Sequence, residues 1–334
     1  DDGVIFISID DTECSNLILI CNEIFGASNF VANVSWQRTY SPRNDSKGIV
    51  SEVEHLVVFS KNPGWQPNKL PRTEAMDSRY KNPDNDVAPW KSSDAFAPGA
   101  ATHQGMVYAI QHPFTGEMLY PSNGRCWRYQ QSSMLEYMQG WCNYRLENLH
   151  DEKERARVCG IDESAVRKDV LAIVLEEPLE VSAAKAQKVY NRGRWPGFYF
   201  TKGGYGGIAR KTYLENVGGR LPTNLWMYEE TGHTDEAKKE LISLFGGRSP
   251  FDTPKPTRLL DFVLKVAGTS ETLMLDSFAG SGTTAHAVLN ANKADNGNRH
   301  FILIEMMDYA DSITAERVKR VIKGYGEGKN AVEG

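Results

Sequence analysis

Three shortages narrow this sequence before any motif is read. It has no long hydrophobic run: the longest, VIFISI, is strand-sized and far below the roughly 18 apolar residues of a membrane span. It has five cysteines in 334 residues, Cys14, Cys21, Cys126, Cys142 and Cys159, with no C-x-x-C pair and no Cys/His ligand spacing. That excludes a disulfide scaffold or a zinc module and predicts buried, idle thiols in a reducing cytosol. It also lacks a basic excess: 38 Lys and Arg against 43 Asp and Glu leave a net charge of −5, so the chain does not coat nucleic acid over its whole surface. No export signal precedes the first strand, and an opening of Asp1-Asp2 without Met leads us to expect a natural start further upstream.

What remains is a globular composition, 40% hydrophobic and 24% charged, long enough for a large core and two domains. The organising stretch is LMLDSFAGSGTTAHAVLNAN, residues 273–292. An apolar strand passes through a small-residue loop into a helix, so Gly280 and Gly282 fall where a βα unit binds a ligand. A P-loop would need Lys-Ser/Thr after its second glycine; Thr283-Thr284 stand there, and that reading is excluded. Gly280, Gly282 and Ala285 fit the dinucleotide pattern G-x-G-x-x-A, and Glu305 closes the next strand, FILIE, at the distance expected of a ribose-holding carboxylate.

In chain order, GVIFISID predicts a buried parallel strand, and Asp10 with Glu13 has capping-box spacing ahead of a helix with Leu17, Ile20, Cys21 and Ile24 on one face. Strands NFVANVSWQR and HLVVFSKN follow, separated by a polar loop. Residues 63–130 are rich in Pro, Gly, Asn and Trp and predict short strands, including a hairpin around Thr115-Gly116-Glu117 anchored by Trp127. Residues 131–175 predict helices, ESAVRKDVLAIVLEE among them. Between Lys185 and Arg220, eight basic residues face Glu215 alone, a net +7 in an acidic chain, interleaved with Tyr190, Trp195, Phe198, Tyr199, Phe200, Tyr205 and Tyr213. Such a segment suits phosphate contact, with Lys202, Arg210 and Lys211 as candidates; the plainer alternative is a surface hairpin with a buried aromatic face. The polar loop's Arg43, Asn44 and Lys47 are either solvated or further DNA contacts. Near the C-terminus, Pro256 opens the helix TRLLDFVLKVAG, and LMLD, TTAHAVLNAN, FILIEM and TAERVKRVIKGYG complete a β-α-β-α run.

Lys255-Pro256 followed by Asp-x-Phe-x-Gly-x-Gly-Thr-Thr resembles motifs X and I of the S-adenosylmethionine-dependent DNA amino methyltransferases in the β arrangement. GVIFISIDDTE, NVSWQRTYSPRNDSKG, GHTDEAKKELISLFGGRSPFDTPKP and GNRHFILIE are similar to the Mod subunits of type III restriction-modification systems. The resemblance implies an α/β, Rossmann-like methyltransferase sheet with an inserted α+β target recognition domain. It divides the chain into residues 1–64 and 251–334 for the methyltransferase and 65–250 for DNA recognition. It implies S-adenosyl-L-methionine as cofactor, with Asp276 at the methionine amino group, Phe278, Ala279, Gly280, Ser281, Gly282 and Thr283 as the loop beneath it, Glu305 on the ribose hydroxyls and Lys255 at the carboxylate end. Implied partners are double-stranded DNA with its target base flipped out, a restriction subunit and a second copy of the chain, in the cytoplasm and away from membranes. The reaction implied is methyl transfer to adenine N6. Cytosine N4, a non-catalytic DNA-reading subunit, and a nicotinamide oxidoreductase using the G-x-G-x-x-A loop remain as alternatives.

The family's Asp/Asn-Pro-Pro-Tyr/Phe tetrad, which orients the amine and stacks on the flipped base, is not found in these 334 residues. NPGW at Asn62 and HPFT at His112 lack its second proline. The catalytic residues are therefore left unassigned and expected upstream of Asp1, on a strand between LMLD and GVIFISID.

Overall fold

The computed structural model describes residues 3–41, 48–326 and 331–334; Arg43, Asn44 and Lys47 lie outside the described residues. The fold is mixed α/β with several small sheets, and the chain divides into two compact units, residues 1–71 with 219–334 and residues 72–218. The units change over at 71/72 and 218/219, where the sequence reading set 64/65 and 250/251.

In the first unit, strands β1 (Val4–Ile9), β2 (Phe30–Gln37), β3 (Val53–Ser60) and β4 (Leu225–Trp226) form a sheet in the order β1-β3-β2-β4. β1 pairs antiparallel with β3 and is only partly covered, which corrects the expectation of a buried parallel strand. Helix α1 (Cys14–Phe25) covers one face, where Cys21 meets Val57 and Phe59. Its inward row is Cys14, Leu17, Ile18, Cys21 and Phe25, whereas Ile20 and Ile24 are exposed. The expected stripe was thus rotated by part of a turn, since 14, 17, 18, 21 and 25 form an equally good 3.6-residue row. The expected capping box is absent too: Asp10 accepts from the N–H and hydroxyl of Thr12 in a turn, and α1 starts without a side-chain cap.

The other face packs Val34, Trp36, Leu56 and Val58 against Leu259, Phe262, Val263 and Val266 of helix α3 (Thr257–Ala267). Helix α2 (Thr234–Phe245) precedes α3. Beyond it, β5 (Leu273–Asp276), helix α4 (Thr283–Asp295) and β6 (His300–Leu303) make a βαβ unit whose strands are parallel and in register, Leu273 opposite His300 through Asp276 opposite Leu303. Met274 and Phe301 pack towards Leu264, Ala287 and Val288, while Leu273, Leu275 and Ile302 are exposed on the alternating face. A six-residue π-helical segment, Ala310–Ala315, leads into helix α5 (Glu316–Lys323).

The second unit is built around aromatic side chains. Trp90, Tyr108, Trp127, Trp141, Phe198 and Phe200 are buried in one cluster with Met134 and Met138. Strands Phe198–Phe200 and Ile208–Tyr213 form an antiparallel hairpin extended by Trp90–Asp94. A second sheet orders Met118–Leu119, Ile110–Gln111, Ala172–Leu175 and Tyr144–Glu147. The hairpin at Thr115-Gly116-Glu117 forms, and the Trp127 indole N–H donates to the Tyr108 carbonyl at 2.8 Å. The helix expected over ESAVRKDVLAIVLEE does not: a single 3₁₀ turn at Glu163–Ala165 gives way to the strand Ala172–Leu175, whose four residues are all buried. A β-branched run with no polar face fits a central strand, and burial on both sides overrode the helical reading.

Candidate functional site

The strand-to-helix turn between β5 and α4 is held by short hydrogen bonds. The Ala279 N–H donates to the Ile304 carbonyl at 3.1 Å, the Gly280 N–H to Glu305 Oε2 at 2.8 Å, and the Gly282 N–H to the Ala279 carbonyl at 2.8 Å. Thr314 Oγ1 donates to the Gly280 carbonyl at 2.5 Å. Gly280 and Gly282 have φ of +52° and +79°, a region that favours glycine. A Cβ at Gly282 would also stand 3.0 Å from the Thr314 carbonyl oxygen, and one at Gly280 3.3 Å from the Phe251 ring.

Asp276 and Glu305 lie at the C-terminal ends of neighbouring parallel strands. Asp276 accepts the Phe278 N–H at 3.2 Å and the Thr284 hydroxyl at 2.5 Å. Glu305 accepts the N–H groups of Met307, at 3.0 Å, and Gly280, and these bonds hold its carboxyl below the usual range. It is therefore an anion at neutral pH with lone pairs to spare. Donors balance the acceptors: the Ser281 N–H has no acceptor among the described residues, and the N–H groups of Thr283, Thr284 and Ala285 begin α4 without helical partners. Gly282, at the N-cap, offers no side chain to them. Phe278 is 86% exposed.

Lys255 is tied to this loop through its backbone, whose carbonyl accepts the Thr283 hydroxyl at 3.1 Å. Its ammonium forms an ion pair with Glu54 of β3 and stands 5.2 Å from the centre of the Trp36 ring. Arg38 joins the same carboxylate at 3.1 Å. The structure thus brings Lys255, Asp276, Phe278–Thr283 and Glu305 around one turn, with the Lys255 charge already partnered.

Sequence reasoning missed what stands behind the loop. Arg317 of α5 is fully buried and reaches Ser281 and Thr283 of the loop, Glu240 of α2, Thr257 of α3 and His286 of α4. The available signal was its spacing, since Arg317 and Val321, four apart, share the buried face of α5.

The basic stretch is more divided than its composition suggested. Lys211 is a correction: its side chain has no exposed surface, and its ammonium lies 2.5 Å from both Asp84 and Asp86 and 2.8 Å from the Trp195 carbonyl. A cation so enclosed cannot reach a phosphate; it neutralises two carboxylates inside the aromatic core. Lys185 pairs with Glu177 at 2.5 Å, and Arg220 pairs with Glu230. Arg210 is half-buried on its strand. Lys188 and Arg192 on the helix Leu179–Arg192, with Arg194 and Lys202 after it, are exposed and have no ion pair among the described residues.

Among the described residues no His, Cys, Asp and Glu cluster could hold a metal, no helix is long and apolar enough to cross a membrane, and all five cysteines are buried free thiols.

A family model for DNA methylases matches residues 1–316. The chain is 30% identical to the StyLTI Mod subunit, a type III restriction-modification enzyme of Salmonella typhimurium, over 96% of this chain and 42% of that protein. It is 27% identical to the EcoPI Mod subunit of Escherichia phage P1, over 91% of this chain and 42% of the relative. Against the type II methyltransferase M.KpnI of Klebsiella pneumoniae the identity is 26%, over 91% of this chain and 62% of the relative. The chain therefore spans less than two thirds of the length of these relatives. The match of the family model to residues 1–316, with a βαβ unit whose glycine loop lies between carboxylates at the strand ends, makes this chain a member of the DNA methylase family.

Proposed function

We propose that the chain carries the S-adenosyl-L-methionine site of a DNA adenine N6-methyltransferase of the type III restriction-modification kind. The observation that carries this reading is the placement of Asp276 at the end of β5 and of Glu305 just beyond the neighbouring parallel strand β6, flanking the Phe278–Thr283 loop and its unpaired N–H donors. The residues fit the cofactor. Glu305 has acceptor capacity for a vicinal diol and Asp276 for an ammonium, while Gly280 and Gly282 hold the positive φ values of the tight turn between them. Lys255 would serve the carboxylate end, which requires its ammonium to be shared with or released by Glu54. The bound cofactor supplies an electrophilic methyl group on a sulfonium. The protein's own contribution is to fix that group and exclude water, because positioning two reactants removes much of the barrier to a bimolecular displacement.

Residues 72–218 are proposed to recognise DNA. Exposed Lys188 and Arg192 on the helix Leu179–Arg192, with Arg194 and Lys202 after it, supply phosphate contacts, with Arg210 on the aromatic hairpin in a lesser part. The substrate in this reading is double-stranded DNA with the target adenine flipped out, acted on by a pair of copies, and the relatives' description as Mod subunits of restriction-modification enzymes supports a restriction subunit as partner. Family membership favours this reading over a nicotinamide oxidoreductase.

Calorimetric titration of the chain with S-adenosylmethionine and, separately, NAD tests the cofactor. Tight binding of NAD alone would overturn the proposal. Nucleoside analysis of DNA methylated by the protein distinguishes the base: N6-methyladenine is expected, and N4-methylcytosine would transfer the proposal to the other amino group.

A further inference from the structure

Three helices and the strand-to-helix loop of the first unit converge on one side chain. Arg317 Nη1 donates to Ser281 Oγ at 3.1 Å and Thr283 Oγ1 at 2.9 Å, and Nη2 to Glu240 Oε2 at 3.1 Å and Thr257 Oγ1 at 3.3 Å. His286 Nδ1 receives Nη2 at 3.1 Å and Nε at 3.4 Å. A guanidinium has five N–H donors and no acceptor, so this shell engages each of its nitrogens. The Thr257 hydroxyl closes the shell on Glu240 at 2.6 Å, and that of Thr283 passes on to the Lys255 carbonyl at 3.1 Å. His286 is only 1% exposed, and burial beside the Arg317 cation pushes its imidazole down to about 3. It is thus neutral and presents Nδ1 as an acceptor; its 3.6 Å approach to Glu240 is a contact between two acceptors, each serving the arginine.

A buried cation needs its desolvation offset by strong partners, and here, among the described residues, Glu240 alone supplies the opposite charge. The remaining partners are the His286 imidazole, the hydroxyls of the loop and that of the residue after Lys255-Pro256. One planar group therefore fixes, from behind, both segments whose front sides form the candidate cofactor site.

We infer that Arg317 is a positioning residue for the methyl-donor loop: by holding the Ser281 and Thr283 hydroxyls and Thr257 together, it sets the geometry in which the N–H groups of Ser281, Thr283, Thr284 and Ala285 face the ligand. The inference rests on the cofactor reading for its ligand but not for its loop. Arg317 touches neither cofactor nor substrate, and a role confined to overall stability would leave loop order and affinity unchanged in any variant that folds.

Two measurements on the full chain separate these. Hydrogen exchange of peptides covering residues 278–287, without ligand, is compared for the native protein, Arg317→Lys and Arg317→Met. Calorimetry with S-adenosylmethionine is run on the same proteins. We expect loop exchange to rise at least tenfold in R317M while α1 and β3 keep their protection, affinity to fall at least tenfold, and R317K to recover part of both. A folded R317M with native exchange in the loop overturns the inference, as does one with loosened loop but native affinity. If R317M does not fold, the double variant Ser281→Ala with Thr283→Val removes only the loop's side of the shell; faster loop exchange there supports the inference and native exchange overturns it. A native protein that fails to bind S-adenosylmethionine overturns the cofactor reading instead, and the exchange comparison still decides whether Arg317 orders the loop.

Discussion

Glu305 and Lys211 show how differently two charged residues of similar sequence appearance are used. Glu305 is held as an anion at the edge of the loop, and Glu305→Ala should weaken S-adenosylmethionine binding, because a polar ligand group is left without its charged acceptor. Calorimetry at neutral pH checks this, and unchanged affinity would remove Glu305 from the site. Lys211 is fully enclosed between Asp84 and Asp86. Lys211→Met should lower stability by about 3 to 5 kcal/mol by stranding two carboxylates in the core, with DNA affinity of the remaining folded protein unaltered. Denaturant unfolding at constant salt measures the first part, and a loss below 1 kcal/mol would contradict the buried ion pair.

At the scale of elements, helices α3 and α4 each carry a titratable group displaced by its surroundings. Asp261 on α3 is pushed up to about 6 by burial and by Glu240, against the opposing pull of Lys265 and Arg258. Its folded-state proton is held more tightly than the unfolded one, so stability falls as pH rises from about 4 to about 6 and stays lowered above that. Asp261→Asn should therefore raise stability at pH 8 by about 1 to 2 kcal/mol, discounted for partial solvent screening, and change little at pH 4. His286 on α4 has the opposite sign. Its folded value of about 3 lies below the ordinary 6.5, so the unfolded chain binds the extra proton and stability declines as pH falls from 6.5 towards 3. Thermal melts between pH 4 and pH 8 should show this decline in the native protein and a shallower one in His286→Gln.

For the whole molecule, the charge asymmetry survives in reduced form. Four exposed cations, Lys188, Arg192, Arg194 and Lys202, remain of the eight counted in sequence order, once the paired, buried and half-buried ones are set aside. If each meets a phosphate, DNA affinity should fall with salt at a log-log slope of about −3 to −4, near −0.9 per contact. Replacing Lys188, Arg192 and Lys202 by Ala should reduce that slope to about −1. Fluorescence anisotropy across a salt series reads it directly, and an unaltered slope would place the DNA surface elsewhere on the protein.

What the sequence by itself determined was whatever depends on neighbours along the chain. The loop was legible because a strand, two glycines and a helix start are local, and their φ values and crowding obey local rules. Strands β2, β3, β5 and β6 and helices α3 and α4 were legible from periodicity for the same reason, while the aromatic hairpin stood as the plainer alternative for its stretch. Tertiary structure alone decided the rest. The inward row of α1 depended on which of two equivalent stripes met Val57 and Phe59, and the strand Ala172–Leu175 depended on partners on both sides of it. Lys211 and Arg317 make the point most sharply, because a basic residue in a sequence carries no mark of whether its charge ends in water or among carboxylates. That is settled by distant residues, Asp84 for one and Glu240 for the other, which only folding brings to within a hydrogen bond.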